Sequence, residues 1–242
     1  MNFATVIGTG ALALLGCAAQ AETLRIGTEP DYAPYTLLGA DGQLSGFDID
    51  LATLICDRGG FDCEWTVMTF SDLVGAVGKG RIDIAIAGMA DTPGRRRLVD
   101  FSRPYRPNTP GYGAYAALSP GFSADGLLAG VQAGTIQAEF LQSLGRDYQS
   151  YPDTTAMILA LRAGEVGVVF GGLGNIEGLI ETTDPDLRIV ETVEVDNYDT
   201  AIAISRDWPG LTARIDALID AIEADGQLQN LETRWFPVGL SL

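Results

Sequence analysis

Apolar residues along the chain alternate between two spacings, which predicts a succession of strands and helices. Short apolar or alternating runs, such as TLRIG (23–27) and RIDIAIAGM (81–89), predict strands. Between such runs, apolar residues three and four positions apart predict amphipathic helices. One stripe of this kind consists of Leu211, Ile215, Leu218, Ile219 and Ile222. Strands and helices in regular alternation are typical of an α/β protein with parallel sheets.

Local signals predict where two of the helices begin and end. In GFDIDLATLICDRGG, Asp48 is expected to cap the first turn and Gly59 to stop the helix. In DTPGRRRLV, Thr92 is expected to be the cap and Pro93 the first helical residue of a further helix.

The alternation occurs twice, and the two runs predict two lobes. The Pro- and Gly-rich stretch RPNTPGYG (106–113) is expected to cross between them, and VDNYD (195–199) to return. The predicted lobes are 22–108 with 198–242, and 109–197. Because open α/β sheets bind ligands at the carboxyl ends of their strands, two such lobes predict a cleft between them.

Residues 1–21 carry no charged side chain and end in the small-x-small pattern Ala19-Gln20-Ala21. This predicts a secretory signal peptide and a periplasmic mature protein. A second interpretation uses Leu14-Leu15-Gly16-Cys17, which resembles a lipoprotein cleavage box in which Cys17 would carry lipid.

Composition narrows the possible functions. The 242-residue chain is 47% hydrophobic and has a formal net charge of −17, which argues against nucleic acid as a partner. It has no histidine, which excludes His-ligated zinc and His-dependent catalytic triads. No metal site, cofactor or catalytic residue is expected. The glycines of VVFGGLGN (168–175) lack the spacing of a phosphate-binding loop.

Cys56 and Cys63 flank the short polar turn DRGGFD. In an oxidising compartment this spacing favours a disulfide bond. Two free buried thiols remain an alternative, and a metal site would need further ligands.

Arg95, Arg96 and Arg97 fall in the first turn of a predicted helix, where cations are unfavourable unless an anion is near. A guanidinium beside the backbone amides of a helix start makes a good carboxylate receptor. The alternative is a solvated face paired with Asp91 or Asp100.

Five segments carry a resemblance to a known family. They are LRIGTEPDYAPYT, GQLSGFDIDLATLIC, FSDLVGAVGKGRIDIAIAGM, TPGRRRLVDFSRPY and GVQAGTIQ. In this order they resemble extracellular solute-binding proteins of family 3, the periplasmic amino-acid receptors of ABC transporters. The resemblance covers nearly the whole mature chain and is looser after residue 115. It implies a two-lobed periplasmic-binding-protein fold of type II. It also implies a monomer that binds a small molecule bearing a carboxylate and docks on an ABC permease. The two cysteines resemble the disulfide of the family's basic-amino-acid and histidine receptors.

The resemblance also implies a set of binding residues. Arg95 falls on the family's carboxylate-binding arginine, assisted by the backbone amides of Ala90 and Ile136. Tyr32 and Phe70 fall on the aromatic walls around the ligand side chain.

Further positions follow from the same resemblance. Glu29 takes the place of an acid that faces the distal end of basic ligands. Ala87 and Gly88 would line the cleft through main-chain atoms, and Thr135 and Gln137 lie on a loop facing it.

Two positions depart from the family pattern. At Gly172 the family has an aspartate that binds the ligand's α-ammonium, and at Ala90 it has Ser or Thr. A buried ammonium without partners would be costly. Three explanations stay open: the ligand lacks an α-amino group; Asp196, Asp199 or Glu29 replaces the missing acid; or the pocket is altered, as in an accessory or sensor protein of a periplasmic quinoprotein dehydrogenase. A cyclohexadienyl-dehydratase-like enzyme would need an acid in the second lobe.

Overall fold

The computed structural model describes residues 21–107, 111–119, 124–196 and 198–236. Most of the predicted signal peptide, Cys17, and the predicted lobe boundaries at 108–109 and 197 lie outside the described residues. Signal cleavage, lipid attachment and the lobe boundaries therefore stay predictions.

Helices and strands alternate through the described part of the chain. The helices are α1 Phe47–Gly59, α2 Phe70–Gly78, α3 Pro93–Arg96, α4 Ile136–Ser143, α5 Thr154–Ala163, α6 Leu173–Thr182, α7 Leu211–Ala224 and α8 Gln227–Trp235. The strands are β1 Glu22–Thr28, β2 Asp31–Tyr32, β3 Thr36–Leu38, β4 Leu44–Ser45, β5 Phe61–Val67, β6 Ile84–Ala85, β7 Asp100–Phe101, β8 Tyr112–Ala117, β9 Ala129–Gln132, β10 Tyr148–Tyr151, β11 Val168–Gly172, β12 Arg188–Glu194 and β13 Ala203–Ile204.

Two five-stranded sheets form the centres of two lobes. The first has the order β5-β1-β6-β13-β7 and the second the order β10-β9-β11-β8-β12, while β2, β3 and β4 form a small third sheet. The architecture is the two-lobed α/β fold of type II periplasmic binding proteins.

The predicted parallel pairing is found for three strands of each sheet. In the first sheet β1 pairs parallel with β5 and β6, and in the second β9 pairs parallel with β10 and β11. The other two strands of each sheet, β13 with β7 and β8 with β12, pair antiparallel. Strands β13 and β8 are those at which the chain arrives from the opposite sheet, so no helical crossover imposes a parallel direction on them.

The two crossing segments meet at one point. Thr200 donates its backbone N–H to the carbonyl oxygen of Arg106 at 2.9 Å, and Tyr105 donates to the carbonyl oxygen of Thr200 at 3.1 Å. An isolated antiparallel bridge also joins Ala90 to Thr200. This pairing fixes the crossing between the two sheets.

Asp48 does not cap α1 as predicted. The helix begins at Phe47 after Gly46, and the carboxylate of Asp48 is fully buried. It accepts hydrogen bonds from the backbone N–H of Gly88 at 2.5 Å and the hydroxyl of Tyr105 at 2.9 Å. The prediction was wrong because these partners lie 40 and 57 residues away, where a local pattern carries no information.

The helix predicted after Thr92 is a single turn. Thr92 is its cap, as predicted, and accepts a hydrogen bond from the backbone N–H of Arg95 at 3.2 Å. A four-residue helix has little dipole to disfavour a cation, so the dipole argument for an anion at Arg95 does not apply.

Cys56 of α1 and Cys63 of β5 form the predicted disulfide bond. Within the described residues, none of the helices combines the length and apolar character required to cross a bilayer.

Candidate functional site

A cavity of about 160 Å³ lies between the two sheets and is lined by residues of both lobes. A cavity of about 150 Å³ can hold a molecule the size of benzene, so this one is large enough for a small organic ligand. Ten residues predicted as ligand contacts line it: Glu29, Tyr32, Phe70, Gly88, Ala90, Arg95, Thr135, Ile136, Gln137 and Gly172.

Two residues predicted as ligand contacts are not part of the cavity wall. Ala87 is fully buried in a core cluster with Ala85 and Met89. The backbone carbonyl of Asp199 accepts a hydrogen bond from the N–H of Asp91 at 3.0 Å. Their contact with a ligand stays a prediction, as does that of the ten wall residues.

Arg95 reaches from the first lobe to the second. Its side chain is 8% exposed, and its guanidinium donates to the carbonyl oxygen of Ala90 at 2.6 Å and to that of Gly134, next to β9, at 2.9 Å. The guanidinium lies over the ring of Phe70 at 5.1 Å from the ring centre. Burial lowers the pKa of Arg95, while Glu139, Tyr32 and Asp91 act in the opposite direction. An arginine nevertheless stays protonated in a protein, so this is a buried cation held by neutral carbonyls.

Glu29 is the acid of the cavity. Its carboxylate is 1% exposed at the carboxyl end of β1, and burial raises its pKa to about 8, with Asp31 and Asp48 adding to the rise. One oxygen accepts a hydrogen bond from the side-chain amide of Gln132, and the other has no hydrogen-bond partner among the described residues. Glu29 is therefore largely protonated at neutral pH and has one unused oxygen.

Further hydrogen bonds join the lobes around the cavity. The side-chain amide of Asn175 donates to the carbonyl oxygen of Ala33 at 3.0 Å. The carboxylate of Asp31 accepts from the backbone N–H of Thr155, at the start of α5, at 2.6 Å. Together with the contacts of Arg95 and Glu29, these bonds hold the lobes in a closed arrangement.

Gly172 ends β11 beside the hydroxyl of Tyr32. A Cβ atom there would lie 3.1 Å from that oxygen and 3.4 Å from the side-chain nitrogen of Gln137. Its backbone angles, φ −61° and ψ 139°, suit any residue. Among the described wall residues, Glu29 is the one carboxylic acid, so of the three proposed replacements for the missing aspartate, it alone lines the cavity.

Gly88 lies where two aromatic rings leave no room for a side chain. Its φ is +55°, and a Cβ atom would lie 2.8 Å from the ring of Tyr32 and 3.1 Å from that of Tyr35. Only glycine adopts this conformation at low cost.

The hydroxyl of Thr135, on the opposite lobe, accepts a hydrogen bond from the backbone N–H of Ala138 and donates one to the carbonyl oxygen of Gln132. Thr135 therefore caps the start of α4.

Sequence reasoning missed one cluster of wall residues. Arg106 donates to the hydroxyl of Tyr35 at 2.7 Å, and its guanidinium stacks on the ring of Phe236 with 3.8 Å to the ring centre. Arg106 lies in the stretch RPNTPGYG (106–113), which was predicted to cross between the lobes. That position beside the cleft was the one sequence signal that could have identified it. Gln132 and Asn175 also line the cavity and were not predicted, although they lie within the segments GVQAGTIQ and VVFGGLGN.

Over the described ranges, no group of three or more Cys, Asp or Glu side chains is arranged to hold a metal ion.

The chain is similar in sequence and in structure to binding proteins for amino acids. The chain is 29% identical to the ABC transporter arginine-binding protein 1 of Escherichia coli K12, over 91% of this chain and 93% of that one. A solved arginine-specific periplasmic binding protein of Salmonella typhimurium is 27% identical, with a TM-score of 0.82 over 89% of this chain and all of that one. A His/Glu/Gln/Arg/opine family-binding protein of Silicibacter pomeroyi, solved with lysine, is 27% identical, with a TM-score of 0.82 over 90% of this chain and 99% of that one.

The sequence model of one family matches residues 24–238. This match includes every helix described above and every strand except the first two residues of β1. The chain therefore belongs to the bacterial extracellular solute-binding proteins, family 3.

Proposed function

We propose that this protein captures a small ligand through a carboxylate group bound by Arg95 and delivers it to an ABC permease. Family membership supports the receptor role, and the relatives named above are binding proteins of amino acids. We further propose that it acts in the periplasm, as a monomer and without chemical turnover.

The observation that carries this proposal is the position of Arg95. Its cation is buried in the wall of the cavity, and each of its partners is a neutral carbonyl oxygen. A carboxylate accepts stronger, charge-assisted hydrogen bonds from a guanidinium than a carbonyl does, and it can do so in a bidentate geometry. A ligand carboxylate is therefore a better partner for this group than the protein alone supplies.

The other end of the ligand is expected to carry a hydrogen-bond donor. A cation placed beside the unused oxygen of Glu29 would favour the ionised carboxylate, in which that oxygen is an acceptor. An arginine- or lysine-like ligand suits this position. The α-amino group, by contrast, would find the neutral Gly172, where the family pattern has an aspartate, and the neutral side chain of Gln137.

Calorimetry with a panel of amino acids and simple carboxylates tests the proposal. Arg95→Ala is expected to weaken binding by about thirtyfold or more, since truncating a buried charged partner costs about 2–5 kcal/mol. Arg97→Ala, at an exposed position on the same segment, is the control and should leave affinity within twofold. Equal affinity in both variants would contradict the proposal. If the whole panel failed to bind, an accessory or sensor role would replace that of a transport receptor.

A further inference from the structure

The cavity wall carries a charge opposite to that of the protein as a whole. The chain has 32 acidic and 15 basic residues, yet the charged groups of the described wall are Arg95, Arg106 and Glu29. Burial raises the pKa of Glu29 to about 8, which reduces its negative charge at neutral pH, and the two guanidinium groups outnumber this one acid. A wall of this kind attracts anions.

Arg106 is held in a fixed orientation at the cavity. Its backbone is paired with Thr200, its guanidinium lies over the ring of Phe236 with 3.8 Å to the ring centre, and one N–H donates to the hydroxyl of Tyr35. A guanidinium stacked on an aromatic face keeps its donors in the plane of its edge, which is the geometry that binds a carboxylate.

Among the described residues, no carboxylate lies within ion-pair distance of Arg106. None of the ion pairs between described residues includes Arg106 or Arg95. Arg106 lowers the pKa of the buried carboxyl of Asp48, but the oxygens of Asp48 accept from Gly88 and Tyr105. A ligand with one carboxylate would therefore leave one of the two guanidinium groups of the cavity wall without a carboxylate partner.

We propose that Arg106 is a second carboxylate-binding group and that the preferred ligand carries two carboxylates, one for each arginine. The proposal rests on the proposed function in that Arg95 binds the first carboxylate. A dicarboxylic acid without an α-amino group also suits the neutral residue at position 172, because it brings no ammonium that would need a partner there. Two sources share this chemistry: free dicarboxylic acids, and amino acids whose nitrogen carries a carboxyalkyl group.

Matched pairs of ligands test the proposal by calorimetry. The dicarboxylates are glutarate, L-glutamate and octopine, the last an N-carboxyethyl derivative of arginine. Their monocarboxylate partners are glutaramate, L-glutamine and L-arginine. At least one dicarboxylate should bind ten times more tightly than its monocarboxylate partner. The pair that shows this preference tells whether the ligand is a free dicarboxylic acid or an amino acid with a carboxyalkyl group on its nitrogen.

Variants then locate the second carboxylate. Arg106→Gln should weaken binding of that dicarboxylate at least tenfold and change its monocarboxylate partner by less than threefold, with Arg97→Gln as the control. Arg106→Lys, which keeps the charge, should retain part of the preference and serves if the glutamine variant does not fold. Equal losses for both ligands, or no preference in the native protein, would overturn the proposal and leave Arg106 a structural group. In that case binding that still depends on Arg95 would preserve the proposed function, whereas no binding in any arm would overturn both.

Discussion

The carboxylate of Glu29 accepts a hydrogen bond from the side-chain amide of Gln132, which joins the end of β1 in the first lobe to the end of β9 in the second. Both side chains are buried, so a group that titrates near neutral pH forms part of the contact between the lobes. Closure of the lobes and ionisation of Glu29 are therefore coupled.

The pH dependence of stability should show this coupling. The pKa of Glu29 is about 8 in the folded protein against 4.5 for the free side chain. Between these values the folded state keeps a proton that the unfolded state has lost, so the free energy of unfolding falls as the pH rises from about 4.5 to about 8.

Glu29→Gln should make the decrease in the free energy of unfolding between pH 5 and pH 8 smaller by a few kcal/mol, because the amide cannot ionise. Asp48, with a pKa raised to about 7 by burial, contributes in the same direction in both proteins. Denaturant unfolding at pH 5 and pH 8 measures the difference. Glu64→Gln, at an exposed position, should behave like the native protein, and a parallel fall in the Glu29 variant would contradict the assignment.

Gly172→Asp should create the missing partner for an α-ammonium group. The new carboxylate would begin beside Tyr32 and Gln137, and the backbone angles at 172 accept aspartate without strain. A charged hydrogen bond is worth about 1.5–3 kcal/mol, so affinity for standard α-amino acids should rise about tenfold to a hundredfold. Gly172→Asn has nearly the same shape without the charge, and a similar gain in that variant would exclude the charge as the cause.

The disulfide bond should contribute measurably to stability. Cys56 and Cys63 are seven residues apart, and closing a loop of this length is worth about 2–3 kcal/mol in the chain-entropy estimate. The unreduced protein should have a mass two hydrogens below that of the reduced protein. Cys56→Ala combined with Cys63→Ala should lower the free energy of unfolding by this amount, and an unchanged value would show that the loop is already ordered without the bond.

Asp31→Ala should make the closed arrangement less stable. Asp31 accepts from Thr155 at the start of α5 in the opposite lobe and is not part of the cavity wall. A net loss of about 0.5–1.5 kcal/mol predicts a dissociation constant about twofold to tenfold higher, mostly through faster dissociation. Stopped-flow kinetics measures this. Asp41→Ala, whose carboxylate bonds only its own turn at Gln43 among the described residues, is the control.

Much of the fold follows from local patterns. Apolar spacing predicts the helices, the Thr-Pro signal predicts the cap at Thr92, and the short turn between Cys56 and Cys63 predicts their bond. Each of these signals depends on residues close in sequence. The strand predicted over 81–89 is instead a two-residue ladder at Ile84–Ala85, although its apolar residues are buried. An apolar run shows burial, but the length of a ladder depends on its neighbour, here the two-residue strand β13.

The candidate site could likewise be predicted only in part from the sequence. Positions such as Arg95 lie inside motifs and could be predicted from the resemblance to the family. The contacts of Arg106 with Tyr35 and Phe236 join residues 71 and 130 positions apart, and only tertiary packing brings them together. The hydrogen bond from Gln132 to Glu29 likewise joins residues 103 positions apart.

The pairing of Arg106 with Thr200 affects the order of events in ligand capture. A rotation about the paired crossing segments moves distant groups far and groups on the axis little. The carbonyl of Gly134 and the amide of Gln132, both from the second lobe, would meet Arg95 and Glu29 only as the rotation completes. Arg106, whose backbone is paired with Thr200 on these segments, would move little in such a rotation. The hinge end of the cavity would therefore discriminate between molecules at the first encounter, before the rotation begins.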